Sequence, residues 1–390
     1  MKVGIDGGAL SITDDRLKVG VYRVAYNLVK ELPVVDVKSN YRVYSFSRGE
    51  EARPPSLPAR KASPCVAGGR SGVSGRGSRN FRKSNVEFIQ LPRPGFQKIW
   101  QPLELMINPV DTYLGISQSL PYTLYDIKKI GFIYDVGFLD HPEYYRESHF
   151  ALTIQTAAVV RRARHIVTIS QSSADSIRRI YHVPKEKLTV AYLGVEKYFH
   201  PTGKKHTRKH PYFLFVGSLK PGKNVPMMLR AFAAFLTQSK ETYDFVLVGS
   251  DYWLDPGISA TINSLGLQSR VEIIGFVDDE TLAGYYRGAI AMLTVSLIEG
   301  FGLPVVEAMA SGCPVIGSTA GAYPEVVGNA GILVDPEDEQ AITNAITKMI
   351  DDVTLRTRCI LNGKTRAKQF TWRAFAKTVH DVMLTHSPRS

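Results

Sequence analysis

Two glutamates, Glu299 and Glu307, bound the run Glu299-Gly300-Phe301-Gly302-Leu303-Pro304-Val305-Val306-Glu307. The run follows an apolar stretch with the character of a buried strand. Pro304 suits the first position of a helix, where it has no N–H to lose and its φ is preset. Val305 to Ala310 continue that helix, and Gly312 ends it. Free N–H groups near Gly302 and Leu303 then form a helix N-terminus, which attracts a diphosphate through hydrogen bonds and the macrodipole. Gly300 and Gly302 let the backbone come close to a ligand. Glu307, placed in the first helical turn, has two oxygens to offer a ribose diol, and Glu299 on the loop can accept from sugar hydroxyls. A plain glycine loop followed by a dipole-favoured glutamate fits the same spacing, so both readings stand at this point.

A third carboxylate, Asp135, ends an apolar strand, where ligand-facing residues of parallel sheets sit. It can orient an acceptor hydroxyl or accept its proton late, and it can equally cap a turn. His141, followed by Pro142, reads as a loop histidine. Other chemistries lack their motifs. No His/Cys cluster has zinc spacing, and no G-x-x-x-x-G-K-[ST] phosphate loop occurs. Gly4-Ile5-Asp6-Gly7-Gly8 is not a G-x-G-x-x-G fingerprint. No carboxylate pairing calls for a glycosidase mechanism.

The elements that must position these residues alternate between apolar runs and helical patterns, as in βαβ units with a parallel sheet. Predicted strands are Lys2–Ile5, Tyr41–Phe46, Ile130–Ile133, Ile166–Ile169 and Leu188–Leu193 in the first half. In the second half they are Tyr212–Val216, Phe245–Val248, Val271–Ile274, Ala291–Val295, Val315–Ile316 and Ile332–Val334. Helices are expected at 19–32, 148–163, with Val21, Val24, Leu28 and Leu32 at helical spacing, and at 173–181, capped by Ser170 or Ser172. Glu339 to Leu384 reads as helical, with Trp372 and Phe375 as large apolar contacts. The polar, basic stretch Gly194 to Pro211 marks a boundary. It divides a first domain at 1–203 from a second at 204–370, with a last helix at 371–390 returning to the first domain.

At 390 residues the chain has material for two cores. It contains no run of about 18 apolar residues, and its start, MKVGIDGG, is unlike a secretory signal. Cys65, Cys313 and Cys359 are too few and too widely spaced for a disulfide framework, which fits a reducing cytosol. The net charge of +12 is unevenly placed: residues 51–85 carry eight Lys/Arg against Glu51 alone. Gly, Pro and Ser fill 15 of those 35 positions, so a long mobile loop is expected. With Phe81 as its one aromatic residue, the stretch lacks the stacking side chains of a nucleic-acid binder. Attraction to an anionic membrane surface fits it better. The expected setting is cytoplasmic and peripheral at the inner membrane face.

Beyond spacing, Glu299 to Glu307 resembles the E-x7-E signature of the retaining GT-B glycosyltransferases of family 4. Ala308 to Ile316, Gly321, Pro324-Glu325-Val326-Val327 and Phe215 to Asn224 resemble the same family. Ile5-Asp6-Gly7-Gly8-Ala9-Leu10 with Gly20-Val21-Tyr22-Arg23 resembles its mannosyltransferase-like branch. The likeness covers nearly the whole chain outside 51–85. It implies an α/β GT-B architecture of two Rossmann-like parallel-sheet domains facing across a cleft. The implied activity is transfer of a hexosyl group, with mannosyl favoured, from a nucleotide-diphosphate sugar such as GDP-mannose to a glycan or lipid-linked acceptor. No metal is implied. Asp135, Lys223 and Glu299 would form the catalytic set, with Lys223 neutralising the diphosphate. The donor would also meet Gly20 at the diphosphate, Ser218, Phe276 and Val277 of the loop that holds the base, the backbone at Phe301, Gly302 and Leu303, and the ribose-binding Glu307. The chain departs from the family at Ser218 and Gly222, where many members carry Arg, and at Tyr134, where many carry His. A nucleotide-sugar-binding protein with little turnover and a GT-B-fold sugar-nucleotide epimerase are the alternatives.

Overall fold

The computed structural model describes residues 1–12, 14, 18, 20–47, 85–145, 148–249 and 255–385. The expected loop at 51–85 lies outside the described residues but for Asn85, and so does Cys65. The first sheet holds β1 (Lys2–Asp6), β2 (Asn40–Ser47), β3 (Val86–Pro92), β4 (Thr112–Gly115), β5 (Lys128–Phe132), β6 (His165–Thr168) and β7 (Leu188–Val190). Its order is β3-β2-β1-β4-β5-β6-β7. The second holds β8 (Tyr212–Val216), β9 (Asp244–Val248), β10 (Val271–Gly275), β11 (Met292–Thr294), β12 (Val315–Ser318) and β13 (Gly331–Val334). Its order is β10-β9-β8-β11-β12-β13. The register of β8 with β9 and of β11 with β12 is parallel, as is that of β1 with β2 and β4. In each sheet the chain winds outward from its first strand, then returns to that strand's other side. Such a reversal opens a crevice at the carboxyl ends of the two strands that flank it. In the second sheet those strands are β8 and β11.

The chain forms two compact units. One is Met1–Phe132 with Arg161–His165 and His380–Ser390, and the other is Ile133–Val160 with Ile166–Val379. Within the first unit, Lys128 Nζ donates to the carbonyls of Val382 and Met383, and His380 Nε2 stands 3.5 Å from Asp36.

β8 and β9 are apolar on both faces, as a doubly covered parallel sheet requires. Phe213, Phe215, Phe245 and Leu247 are fully buried against Met228, Leu229 and Phe232 of the helix Val225–Gln238. Burial of each such side chain contributes about 1.5–3 kcal/mol. The predicted strands of the second half lie within two residues of the observed ones.

Three expectations need correction. The first helix runs Val21–Val35, through Pro33. The stretch Glu339 to Leu384 is three helices, 339–351, 353–367 and 372–385, and Asp338 and Asp352 cap the first two by accepting from Ala341 and Leu355 N–H. The helix after Gly302 starts at Leu303, so Glu307 sits in its second turn, not its first. Ser170 is the cap of the helix Gln171–Tyr181, its Oγ accepting from Ser173 N–H at 3.0 Å. A second cap comes from far along the chain: Glu325 accepts from Gln171 and Ser172 N–H at 2.8 Å each.

Candidate functional site

The loop leaving β8 turns through Pro221–Lys223, one 3-10 turn with Lys220 at its N-cap. Asn224 closes the turn in the left-handed region, φ 59°, which Asn tolerates better than most residues. Its Nδ2 donates to the carbonyls of Val295, at 3.2 Å, and Pro336, at 2.8 Å. Leu297 N–H donates to the Gly222 carbonyl at 3.0 Å. These bonds tie the turn after β8 to the segment after β11, across the point where the strand order reverses. Lys223 and Glu299 are brought together by this tie.

Lys223 Nζ donates to Glu299 Oε2 at 2.5 Å, and Tyr323 OH donates to the same oxygen at 3.3 Å. Tyr323 OH also stands 2.9 Å from Thr294 Oγ1 and 3.3 Å from Ser296 Oγ. Glycines make the packing possible. A Cβ on Gly302, φ 94°, would lie 2.6 Å from the Tyr323 ring, and one on Gly321 would lie 2.5 Å from the Glu299 carbonyl oxygen. Asp135 approaches from the loop after β5. Its Oδ1 accepts from Gly137 N–H at 3.0 Å, and a Cβ on Gly300 would meet its Oδ2 at 3.0 Å.

These groups line a cavity of about 60 Å³ that includes Asp135, Lys220, Lys223, Glu299, Tyr144 and Tyr145. Two ammonium groups therefore face two carboxylates. Burial pushes the Glu299 carboxyl up, but the charge and hydrogen bond of Lys223, with help from Lys220 and Tyr323, hold it below the usual range. Burial opposes the Lys223 charge, and Glu299 more than restores it, so its pKa is raised. Lys220 is lowered by burial and by Lys223 beside it. Asp135 is raised by burial, only partly offset by the Gly137 N–H and Lys220. Tyr323 is pushed up to about 12 by burial and by Glu299, so it remains a donor.

Asp135, Lys223 and Glu299 thus share one cavity. The other expected positions are placed differently. Ser218 is half-buried in the loop just before the turn Pro221–Lys223. Gly302, in the left-handed region, caps the helix that starts at Leu303. Phe301 turns its side chain into an aromatic cluster with Phe370 and Tyr192, at 5.6 and 6.2 Å, which leaves its backbone as the part able to meet a ligand. Glu307 is buried, and its Oε2 accepts from Tyr286 OH at 3.1 Å. Phe276 is 45% exposed and Val277 half-buried, both just past β10. Gly20, in the other unit, has φ 46° and caps the helix Val21–Val35. A larger open depression of about 630 Å³, beside Asn344, Thr347 and Lys348, holds none of these residues.

Tyr144, Tyr145 and Lys220 join Asp135, Lys223 and Glu299 in the cavity, and none of the three stands among the expected site residues. The Lys220 ammonium lies 5.2 Å from the centre of the Tyr145 ring, in the range of a cation–π contact. A Cβ added at Gly222 would lie 3.5 Å from the Tyr144 ring, an ordinary contact. The second cation of the turn is Lys220. Its sequence signal was a lysine two residues before Gly222 in a strand-end turn. Among the described residues no group of three His, Cys, Asp or Glu is arranged to hold a metal ion. Cys313 and Cys359 are buried and free.

The family model of the glycosyl transferases group 1 matches residues 197–366, the part that holds Lys220, Lys223 and Glu299. O-antigen chain mannosyltransferase B of Escherichia coli is 28% identical over 270 residues, 67% of this chain and 70% of the relative. MMP alpha-(1->4)-mannosyltransferase of Mycolicibacterium hassiacum is 34% identical over 226 residues, 56% of this chain; the chain spans 53% of that relative. The solved structure of sucrose-phosphate synthase from Thermosynechococcus elongatus superposes with a TM-score of 0.73 over 98% of both chains. At 19% identity that likeness speaks to the fold alone, which is GT-B. Residues 197–366, which match the glycosyl transferases group 1 model, contain the crevice at β8 and β11 with its two lysines and Glu299, and the protein is a glycosyltransferase.

Proposed function

We propose that the protein transfers a mannosyl group from GDP-mannose, with retention of configuration, to a glycan or lipid-linked acceptor at an anionic membrane surface. The observation that carries the reading is the convergence of Lys220 and Lys223 on one cavity at the reversal of strand order. A departing nucleoside diphosphate gains negative charge as the glycosidic bond breaks. Fixed cations placed where that charge develops stabilise the transition state most directly. Lys223 is fully charged and already oriented by Glu299. Lys220 adds the second charge that Ser218 and Gly222 do not supply. Two ammonium groups meet the electrostatic demand without a resident metal.

Glu299, ionised and held from one side by Lys223 and Tyr323, presents its carboxylate to sugar hydroxyls. Asp135, kept above the usual carboxylate range by burial, orients the acceptor hydroxyl. The leaving diphosphate takes the acceptor proton on the sugar face from which it departs, which retains configuration. The enzyme then supplies position and charge more than a strong base. Glu307, steadied by Tyr286, is assigned to the ribose, and the backbone N–H groups at the start of the helix Leu303–Ala310 to the diphosphate. The mannosyl choice follows the names of the two mannosyltransferases to which the chain is similar.

A donor screen by thermal unfolding tests the donor assignment. A ligand that binds only the native state must raise the melting temperature, by a stabilisation of about 2.7 kcal/mol at a hundredfold excess over Kd. GDP-mannose should raise it more than UDP-glucose or UDP-GlcNAc do. A larger rise with a UDP-sugar would overturn the donor assignment and leave the enzyme class standing.

A further inference from the structure

The loop that carries Glu299 is held by three side chains from outside it. Tyr323 OH donates to Glu299 Oε2 at 3.3 Å. Ser173 Oγ donates to the Gly300 carbonyl at 3.3 Å. The ring of Tyr192 packs on that of Phe301, with centres 6.2 Å apart. The three come from the short helix Tyr323–Val327, the first turn of the helix Gln171–Tyr181 and the segment after β7. One residue joins them. Glu325 lies two positions beyond Tyr323 on the same helix. Its Oε1 accepts from Ser172 N–H and its Oε2 from Gln171 N–H, at 2.8 Å each, which fixes the turn that bears Ser173. Oε2 also accepts from Tyr192 OH at 3.1 Å. Glu299, Gly300 and Phe301 are thus each held by a neighbour of Glu325: Tyr323 in its own helix, Ser173 in the turn it caps, and Tyr192 through a direct bond.

Stability of the helix Gln171–Tyr181 does not require this arrangement. Ser170 caps the helix locally, its Oγ accepting from Ser173 N–H. Gln171 is exposed, and first-turn N–H groups at the surface can bond to water instead. A carboxylate 153 and 154 positions away adds what a local cap cannot, a fixed place for the helix against the site loop. Charge-assisted bonds to N–H groups at the positive end of a helix suit that task, being strong and directional. Glu325 is anchored in turn, because Arg366 donates to the carbonyls of Glu325 and Val326. The Arg366 guanidinium lies 5.2 Å from the centre of the Phe370 ring, which meets Phe301 edge to face at 5.6 Å. All of these residues belong to the second compact unit. Gly300 is the sensitive point. A Cβ there would lie 3.0 Å from Asp135 Oδ2, so a displaced Gly300 disturbs Glu299 and Asp135 together.

We infer that Glu325 is a positioning residue for the transfer reaction, setting the place of Glu299 and Gly300 through Tyr323, Ser173 and Tyr192 from outside the cavity. Its role rests on the site assigned above and extends it beyond the groups that line the cavity. The test is a double-mutant cycle on Glu325→Ala and Ser173→Ala in the full chain. The readout is release of nucleoside diphosphate from whichever of GDP-mannose, UDP-glucose and UDP-GlcNAc wild type consumes fastest. Glu325→Ala should lower kcat about ten- to a hundredfold, the cost of a small misplacement at a reacting centre. The dissociation constant of the matching free nucleoside diphosphate should change by less than about twofold. Ser173→Ala should lower kcat less, and the double variant should be about as slow as Glu325→Ala alone, since both break one chain of contacts. Should Glu325→Ala fail to fold, Glu325→Gln, which keeps one accepting oxygen, takes its place in the cycle with the same expectation. Losses that multiply, or wild-type kcat in a folded Glu325 variant, would overturn the inference. So would an equal weakening of the free nucleotide, which would mark a merely structural residue. Amide exchange separates this role from the proposed transfer. In the Glu325 variant, Leu297 N–H, which donates to the Gly222 carbonyl at 3.0 Å, should exchange about tenfold faster, with β9 unchanged. If wild type consumes none of the donors, the proposed function fails and exchange alone decides. Faster exchange confined to residues 171–175 would then overturn the positioning role.

Discussion

At the scale of single residues, the site is a balance of two ammonium groups and two carboxylates, and the balance sets a pH window. In the proposed mechanism Asp135 is ionised to orient the acceptor, and burial raises its pKa from the ordinary 3.8. Activity should therefore fall as the pH drops through a value above the usual Asp range. In the same proposal Lys220 is charged to meet the diphosphate, and burial and Lys223 lower its pKa from the ordinary 10.5. Activity should then also fall as the pH rises through a value below the usual lysine range. Lys220→Arg should move the alkaline limb upward, because guanidinium stays charged throughout. A pH profile of kcat/KM that keeps the same alkaline limb in that variant would remove Lys220 from the site. Glu299, Lys223 and Asp135 were legible in the sequence, because each stands at a strand end among glycines. Tyr144 and Tyr145 were not, since they come from a loop some 75 positions before the turn they cover. The burial of Glu307 against Tyr286 also escaped, because its partner stands on a different helix, 21 residues earlier in the chain.

At the scale of elements, the site depends on how the turn after β8 is tied to β11. Asn224 supplies both the left-handed backbone and the two bonds, to Val295 and Pro336. Asn224→Ala should lose about 1–3 kcal/mol from the unpaired carbonyls, with about 1 kcal/mol more for the left-handed conformation. Asn224→Gly should recover only the backbone part. Thermal unfolding of the two variants separates the terms; equal losses would mean that backbone strain contributes nothing. Displacement of Lys223 should lower kcat in both. The strands of the second sheet were readable because each is a short apolar run bounded by turn residues. β3 was not, because its burial alternates irregularly and Glu87 and Gln90 interrupt its apolar residues. The helical segment Phe96–Ile107 escaped too, since its outward apolar stripe blurs the division between core and solvent faces on which a helix assignment relies.

At the scale of the whole molecule, two sheets of the same winding order serve different demands. The second places cations and Glu299 at its reversal point. The first opens its own reversal between β1 and β4, where Asp6 accepts from Gly8 and Ser117 N–H at 3.0 and 3.2 Å. Length and alternation of elements made this doubled architecture readable, whereas acceptor chemistry depends on surfaces that no motif spells out. The most direct measurement is release of nucleoside diphosphate from hexose donors by wild type, Lys223→Ala and Glu299→Gln, with circular dichroism to confirm folding. Wild type should release GDP from GDP-mannose, and each variant should lose about 10²–10³-fold in rate, the usual cost of removing one group that stabilises the transition state. Equal rates in folded variants, or no release from any hexose donor by folded wild type, would contradict a transferase built on Lys223 and Glu299.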